Sequence, residues 1–116
     1  MRLEGNFYKI RETSLTDNGF NCILELSVDH PIYKGHFPSR PVVPGACTLT
    51  IIKECISSFL KRDIIYKKIK ECKFVSTLLP REGLLVQLEL EISDMQKINC
   101  IVSSDGQTVL KLKAEI

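Results

Sequence analysis

Residues 30–60 read HPIYKGHFPSRPVVPGACTLTIIKECISSFL. The first half is a loop stiffened by Pro38, Pro41 and Pro44 and carrying both histidines of the chain, His30 and His36. Proline fixes φ near −65° and removes a donor, so this stretch is neither helix interior nor central strand. After Gly45 the pattern changes. On a 3.6-residue wheel, residues 46–61 place Cys47, Leu49, Ile51, Ile52, Cys55, Ile56, Phe59 and Leu60 on a wide apolar arc. Thr50, Lys53, Glu54, Ser57 and Lys61 form a thin polar edge. A helix so apolar predicts that most of its surface is enclosed.

Everything on either side reads as strand. Residues 1–11, with partial alternation, and 22–28 read as two strands around a polar turn at 12–21, which suggests a hairpin. Downstream, residues 64–79 contain a long alternating segment, KIKECKFVSTL. Residues 80–83 are a turn, 84–92 alternate cleanly, and 97–103 and 108–116 are strands. The last two flank Asp105-Gly106, a tight hairpin turn. The order is two strands, one helix, four strands. A helix apolar over most of its girth needs a sheet curled around it, so the expected class is α+β, with one antiparallel sheet around a central helix in a single domain over 1–116. Such a sheet leaves an edge open, which a second copy can pair.

Composition narrows the function. The chain has 116 residues, 44% hydrophobic and 26% charged, with net charge +2. That is the profile of one globular domain without the basic footprint of a nucleic-acid binder. Lys67, Lys68, Lys70 and Lys73 read as a solvated strand end, or as a small patch for an acidic protein. Five cysteines with no C-x-x-C pair argue against a disulfide framework and a structural zinc site. No signal peptide precedes the first strand, and no apolar run approaches the ~20 residues that span a bilayer. The expectation is a reduced, cytoplasmic protein with no metal, no nucleic acid and no membrane. Cys47 and Cys55, on the apolar arc, read as core thiols.

His36-Phe37-Pro38 followed by Pro41-Val42-Val43-Pro44-Gly45 and a helix resembles the motif of the hotdog-fold β-hydroxyacyl-(acyl carrier protein) dehydratases. His30-Pro31 and Gly35 fit as well, and the similarity extends over most of the chain. The resemblance implies a hotdog fold. It implies β-hydroxyacyl thioester substrates carried on the phosphopantetheine of an acyl carrier protein, with no other cofactor, in fatty acid or polyketide and polyene biosynthesis. It implies a homodimer or an oligomer of dimers, or a mixed dimer with a paralogue. His36 matches the base that takes the proton beside the thioester. A neutral imidazole with pKa near ~6.5 suits that task. Gly45, with Ala46, matches the helix start whose N–H groups hold the thioester oxygen, where unpaired amides and the helix dipole favour developing negative charge. Phe37, Val43 and Pro44 fall where substrate is contacted, and Tyr33 lines the loop or the pocket. Arg40 either touches the carrier's phosphate or faces water. His30 reads as a structural residue at a strand end.

Two positions depart from the family's pattern: the smaller departure is Ser39, where many relatives have a glycine after His-Phe-Pro, and the larger is on the helix. The carboxylate that hands a proton to the departing hydroxyl falls on Thr50. Threonine can orient a water or a hydroxyl but cannot donate a proton near neutral pH. Losing a positioned general acid costs about 10²–10⁴-fold in rate. Glu54 is the nearest acid on that edge, one turn or about 5.4 Å further on, and is either a displaced acid or a solvated helix residue. A non-catalytic acyl- or carrier-binding protein, a silent partner in a mixed dimer, and an acyl thioesterase stand as alternatives.

Overall fold

The structure, a computed structural model, describes residues 2–35 and 42–116. It contains β1 (Tyr8–Thr16), β2 (Gly19–Leu26), a four-residue helical turn α1 (Ile32–Gly35), the long helix α2 (Gly45–Leu60), β3 (Lys68–Phe74), β4 (Leu85–Ser93), β5 (Lys97–Ser104) and β6 (Gln107–Glu115). The strands form one antiparallel sheet in the order β1-β2-β4-β5-β6-β3.

Alternation sets the two faces of the sheet. In β4, Val86, Leu88 and Leu90 are buried while Leu85, Gln87, Glu89 and Glu91 are exposed. β5 buries Ile98, Cys100 and Val102 in the same way. The buried row shares one core with Cys47, Ile51, Ile52, Cys55 and Ile56 of α2. Phe20 of β2 and Phe59 of α2 pack with ring centroids 4.5 Å apart. Each fully buried Ile or Leu in such a core contributes about 1.5–3 kcal/mol. In the single chain the sheet covers one side of α2 only. Leu49, Phe59 and Leu60 are half-buried, so the helix is less enclosed than its apolar arc predicts.

The N-terminal third differs from the sequence reading. Residues 12–16, read as turn because they are polar, continue β1, and the hairpin turn is only Asp17-Asn18. β1 is an edge strand exposed along nearly its whole length, so Thr, Ser and Glu there satisfy strand geometry without an apolar face. Residues 3–7, read as strand, form a tight turn in which Phe7 N–H donates to Leu3 O at 2.8 Å and Gly5 takes φ 94°. That turn buries Leu3 and Phe7 in the core. The Asp105-Gly106 hairpin is as expected, with φ of 53° and 76°.

Among the described residues β3 forms the other edge and pairs only with β6. Ile69, Cys72 and Phe74 stand opposite the buried Ala114, Leu112 and Leu110. Directly opposed residues share a face. Yet Ile69 is 44% and Phe74 54% exposed, so the core-side face of β3 runs past the cover that the described residues supply.

At the far end of the β2–β4 ladder, Gly19 lies against β4 so closely that a Cβ would fall 1.9 Å from Leu90 O. Backbone cannot yield as a side chain tip can. Gly19→Ala is expected to destabilise the fold by roughly 3 kcal/mol, read as a lower urea midpoint. An unchanged midpoint would show that the two strands are not locked here.

Candidate active site at the start of the long helix

The chain approaches α2 through Val43, which is buried and whose N–H donates to Leu78 O at 2.9 Å. This bond ties the helix start to the segment after β3. Pro44 is the N-cap, with φ −60° and ψ 140° and no side-chain cap. Its carbonyl accepts from Cys47 N–H at 2.9 Å and Thr48 N–H at 3.2 Å. The N–H groups of Gly45 and Ala46 have no partner among the described residues. The first turn also contains no acidic side chain. Among the described residues, the positive end of this 16-residue helix is therefore left uncompensated.

Gly45 lets the Phe74 ring pack directly onto the helix start. A Cβ there would meet the Phe74 ring at 2.7 and 2.8 Å. The ring lies against the helix start and borders a cleft of about 410 Å³ lined by Val43, Gly45, Thr48, Phe74, Leu78 and Val109 among others. Phe74 and Leu78 had no role in the sequence reading. Their only sequence signal is that the strand pattern of β3 ends in an aromatic residue just before the segment that pairs with Val43.

Thr50 lies one turn along. Its hydroxyl donates to Ala46 O at 3.0 Å. With its proton committed to the helix backbone, the hydroxyl is left with acceptor capacity only.

Glu54 is neither on a solvated edge nor near the helix start. Its carboxylate accepts from Leu3 N–H at 2.7 Å, Glu4 N–H at 3.0 Å and the Tyr8 hydroxyl at 3.0 Å. It holds the N-terminal turn against α2. Nine residues at about 1.5 Å each put it about 13 Å from Gly45 along the helix. This occupied clamp replaces both sequence readings of Glu54, displaced acid and solvated residue, with a structural one. Burial, with the Cys55 thiol and Glu54 beside it, pushes the Tyr8 hydroxyl far above the ordinary phenol range, so Tyr8 stays a donor to that carboxylate.

His30 lies between β2 and α1, where its Nδ1 accepts from Ile32 N–H at 3.1 Å. Its ring stands edge-on to Phe7 with centroids 5.1 Å apart. An accepting Nδ1 requires the neutral tautomer with the proton on Nε2, a structural role. His36, Phe37, Ser39 and Arg40 lie outside the described residues. Cys47 and Cys55 are buried in α2. Burial pushes the Cys47 thiol up, and the Cys22 thiol and burial together push up Cys55, so neither is primed as a nucleophile. Among the described residues no cluster of three or more His, Cys, Asp or Glu could hold a metal ion. No described helix is long and apolar enough to cross a membrane.

A family model described as ApeI-like, ApeI dehydratase, matches residues 12–112. The chain belongs to the ApeI-like dehydratase family. It is 24% identical over 101 residues to the 3-hydroxyacyl-[acyl-carrier-protein] dehydratase FabZ of Neisseria meningitidis, covering 78% of this chain and 68% of that protein. It is 26% identical over 97 residues to the FabZ of Bartonella bacilliformis, covering 75% of this chain and 63% of that one. The chain thus spans about two thirds of the length of these relatives. Among solved structures it resembles the dehydratase heterocomplex ApeI:P from Xenorhabdus doucetiae, with TM-score 0.79, 19% identity, and 91% and 94% of the two chains covered. A protein of Erwinia carotovora subsp. atroseptica gives TM-score 0.69 at 24% identity, covering 90% of this chain and 89% of that one. This one-helix, six-strand ApeI-like chain has the hotdog fold.

The Glu54 clamp is testable apart from chemistry. Glutamine offers one acceptor oxygen where three donors converge, so Glu54→Gln strands at least one of them. The expected cost is about 1–3 kcal/mol of stability, read as a lower urea midpoint. An unchanged midpoint would show that the carboxylate does not hold the N-terminal turn.

Proposed function

We propose that this chain is a hotdog dehydratase subunit acting on β-hydroxyacyl thioesters carried by the phosphopantetheine of an acyl carrier protein, in fatty acid or specialised acyl-chain biosynthesis. The observation that carries the reading is the start of α2, which has no side-chain cap and whose Gly45 and Ala46 N–H groups have no partner among the described residues. Two amide donors at the positive end of a helix match a thioester oxygen, and match it better as it becomes an enolate.

In the proposed reaction, His36 removes the proton from the carbon beside the thioester carbonyl. The electrons pass into the carbonyl, whose oxygen is held by the Gly45 and Ala46 amides. Collapse of the enolate forms the carbon–carbon double bond and expels the β-hydroxyl, which leaves as water after taking one proton. Thr50 cannot supply that proton, because its own is held by Ala46 O. The acid then comes from a bound water or from a second subunit. Val43 and Pro44 shape the approach, Phe37 lines the pocket, and Arg40 meets the carrier. The chain needs no metal or resident cofactor in this scheme, and its place is the cytoplasm.

The half-exposed core-side face of β3, at a strand with one free edge, supports pairing with another hotdog subunit. A second copy gives a homodimer and a paralogue gives a mixed dimer. The mixed arrangement has a specific observation behind it: a helix whose acid position is a backbone-bonded threonine. A solved structure of similar fold is named a heterocomplex. In the limit this chain is the silent member of such a pair.

Turnover of a 3-hydroxyacyl carrier thioester to the enoyl form, followed by mass spectrometry, separates these possibilities. The expected result is dehydration that falls by at least about 10²-fold in His36→Ala and rises in Thr50→Glu. Tight binding of the loaded carrier without turnover in any of these proteins would favour the silent partner. Neither binding nor turnover would remove the thioester reading.

A further inference from the structure

Thr48 is a buried polar residue of α2, only 5% exposed. Together with Gly45 it lines the cleft of about 410 Å³ beside the helix start. It follows Gly45 by three residues, so the two share one face of the helix, with Thr48 about 4.5 Å further along. Phe74, Leu78 and Val109 give the cleft its apolar wall. Ser76 also borders the cleft, but its hydroxyl already donates to Thr108 O at 2.8 Å.

Among the described residues the Thr48 hydroxyl makes no hydrogen bond. Thr50 bonds back to the carbonyl four residues before it, Ala46 O. The corresponding carbonyl for Thr48 is Pro44 O, which already accepts from Cys47 N–H and Thr48 N–H. A carbonyl has two lone pairs, so Pro44 O is full. The Thr48 hydroxyl is not sealed in either. The one side-chain polar atom that is both fully buried and unpartnered among the described residues is the Tyr33 hydroxyl. An unbonded Thr48 hydroxyl that is not sealed opens onto the cleft that the residue lines. Valine would fill the same space with no polar atom to satisfy, and buried polar groups are nearly always bonded. A hydroxyl kept here finds its partner in what the cleft binds.

We propose that the Thr48 hydroxyl is a substrate-binding group that bonds the β-oxygen of the acyl chain. This rests on the thioester reading above. With the carbonyl oxygen on the helix-start amides, the next oxygenated carbon of the chain lies two carbons on. The helix offers its next free hydroxyl one turn on, on the same face and at the same cleft. The amides of Gly45 and Ala46 only donate, which suits a carbonyl. A threonine hydroxyl donates one proton and can accept another, which suits an alcohol. The wall of Phe74, Leu78 and Val109 suits the hydrocarbon beside it. Thr48 is not the missing acid. It holds the β-oxygen in place while another group protonates it. A site that bonds a substrate hydroxyl discriminates against the analogue lacking it, because its own group is then left unpaired.

The test uses the full chain and two soluble probes, 3-hydroxyoctanoyl-N-acetylcysteamine and octanoyl-N-acetylcysteamine, titrated calorimetrically. The parent is expected to favour the hydroxy compound by about tenfold or more. Thr48→Val, which keeps the shape, is expected to bind the two equally, and Thr48→Ser, which keeps the hydroxyl, to retain the preference. Ligand-free Thr48→Val is expected to melt at the parent's temperature or higher, since an unpaired polar group has been removed. A valine variant that keeps the preference overturns the proposal. So does one with a lower melting temperature, because the hydroxyl then has a partner inside the protein. Loss of the preference in Thr48→Ser as well traces it to packing and also overturns the proposal. A parent that binds both probes equally sinks this proposal and leaves the thioester reading standing. A parent that binds neither sinks both.

Discussion

The apolar face of α2 rests in one core with the inward rows of β2, β4, β5 and β6, and Ile52 and Ile56 are fully buried there. This contact fixes the helix axis relative to the sheet. Once the axis is fixed, the Val43–Leu78 bond and the rigid φ of Pro44 decide where the helix begins. The beginning of the helix is where two backbone donors have no partner among the described residues. Packing energy from the core thus holds a polar feature, the open amide pair, that would be poorly placed at the end of a fraying helix.

The same helix carries the two positions on which the chemistry turns, and the structure separates them. Thr50 closes a local bond to Ala46 O, and Glu54 ties down the N-terminal turn. Neither side chain offers a free acid toward the helix start. Under the proposed function, the helix start would supply the carbonyl-binding part of the site and leave the proton-donating part to another group. An edge strand with uncovered Ile69 and Phe74 is the feature through which a second subunit could complete it.

Much of this was legible in the sequence because strong local rules coincide there. Proline and glycine mark where α2 starts, its apolar periodicity identifies the buried helix, and the clean alternation of β4 and β5 gives the sheet. Reading failed where strands are not half-buried. The polar edge of β1 offers no alternation, and residues 3–7 bury Leu3 and Phe7 through a turn rather than a strand. The Glu54 clamp joins residues about fifty positions apart, so no spacing rule could reveal it. The Phe74 ring over Gly45 is likewise a tertiary contact. The histidine of the motif is read from sequence alone, since residue 36 lies outside the described residues.

The central claim is that the Gly45 and Ala46 amides receive a thioester oxygen. Backbone amide NMR of the labelled chain, titrated with a saturated acyl-pantetheine thioester, tests it directly. The account predicts that the Gly45 and Ala46 resonances move downfield, as amides do on gaining an acceptor, with the largest shifts among the helix residues. The matching alkyl-pantetheine thioether, which lacks only the thioester oxygen, should leave them in place. Equal responses to both compounds, or shifts confined to residues far from the helix start, would contradict it.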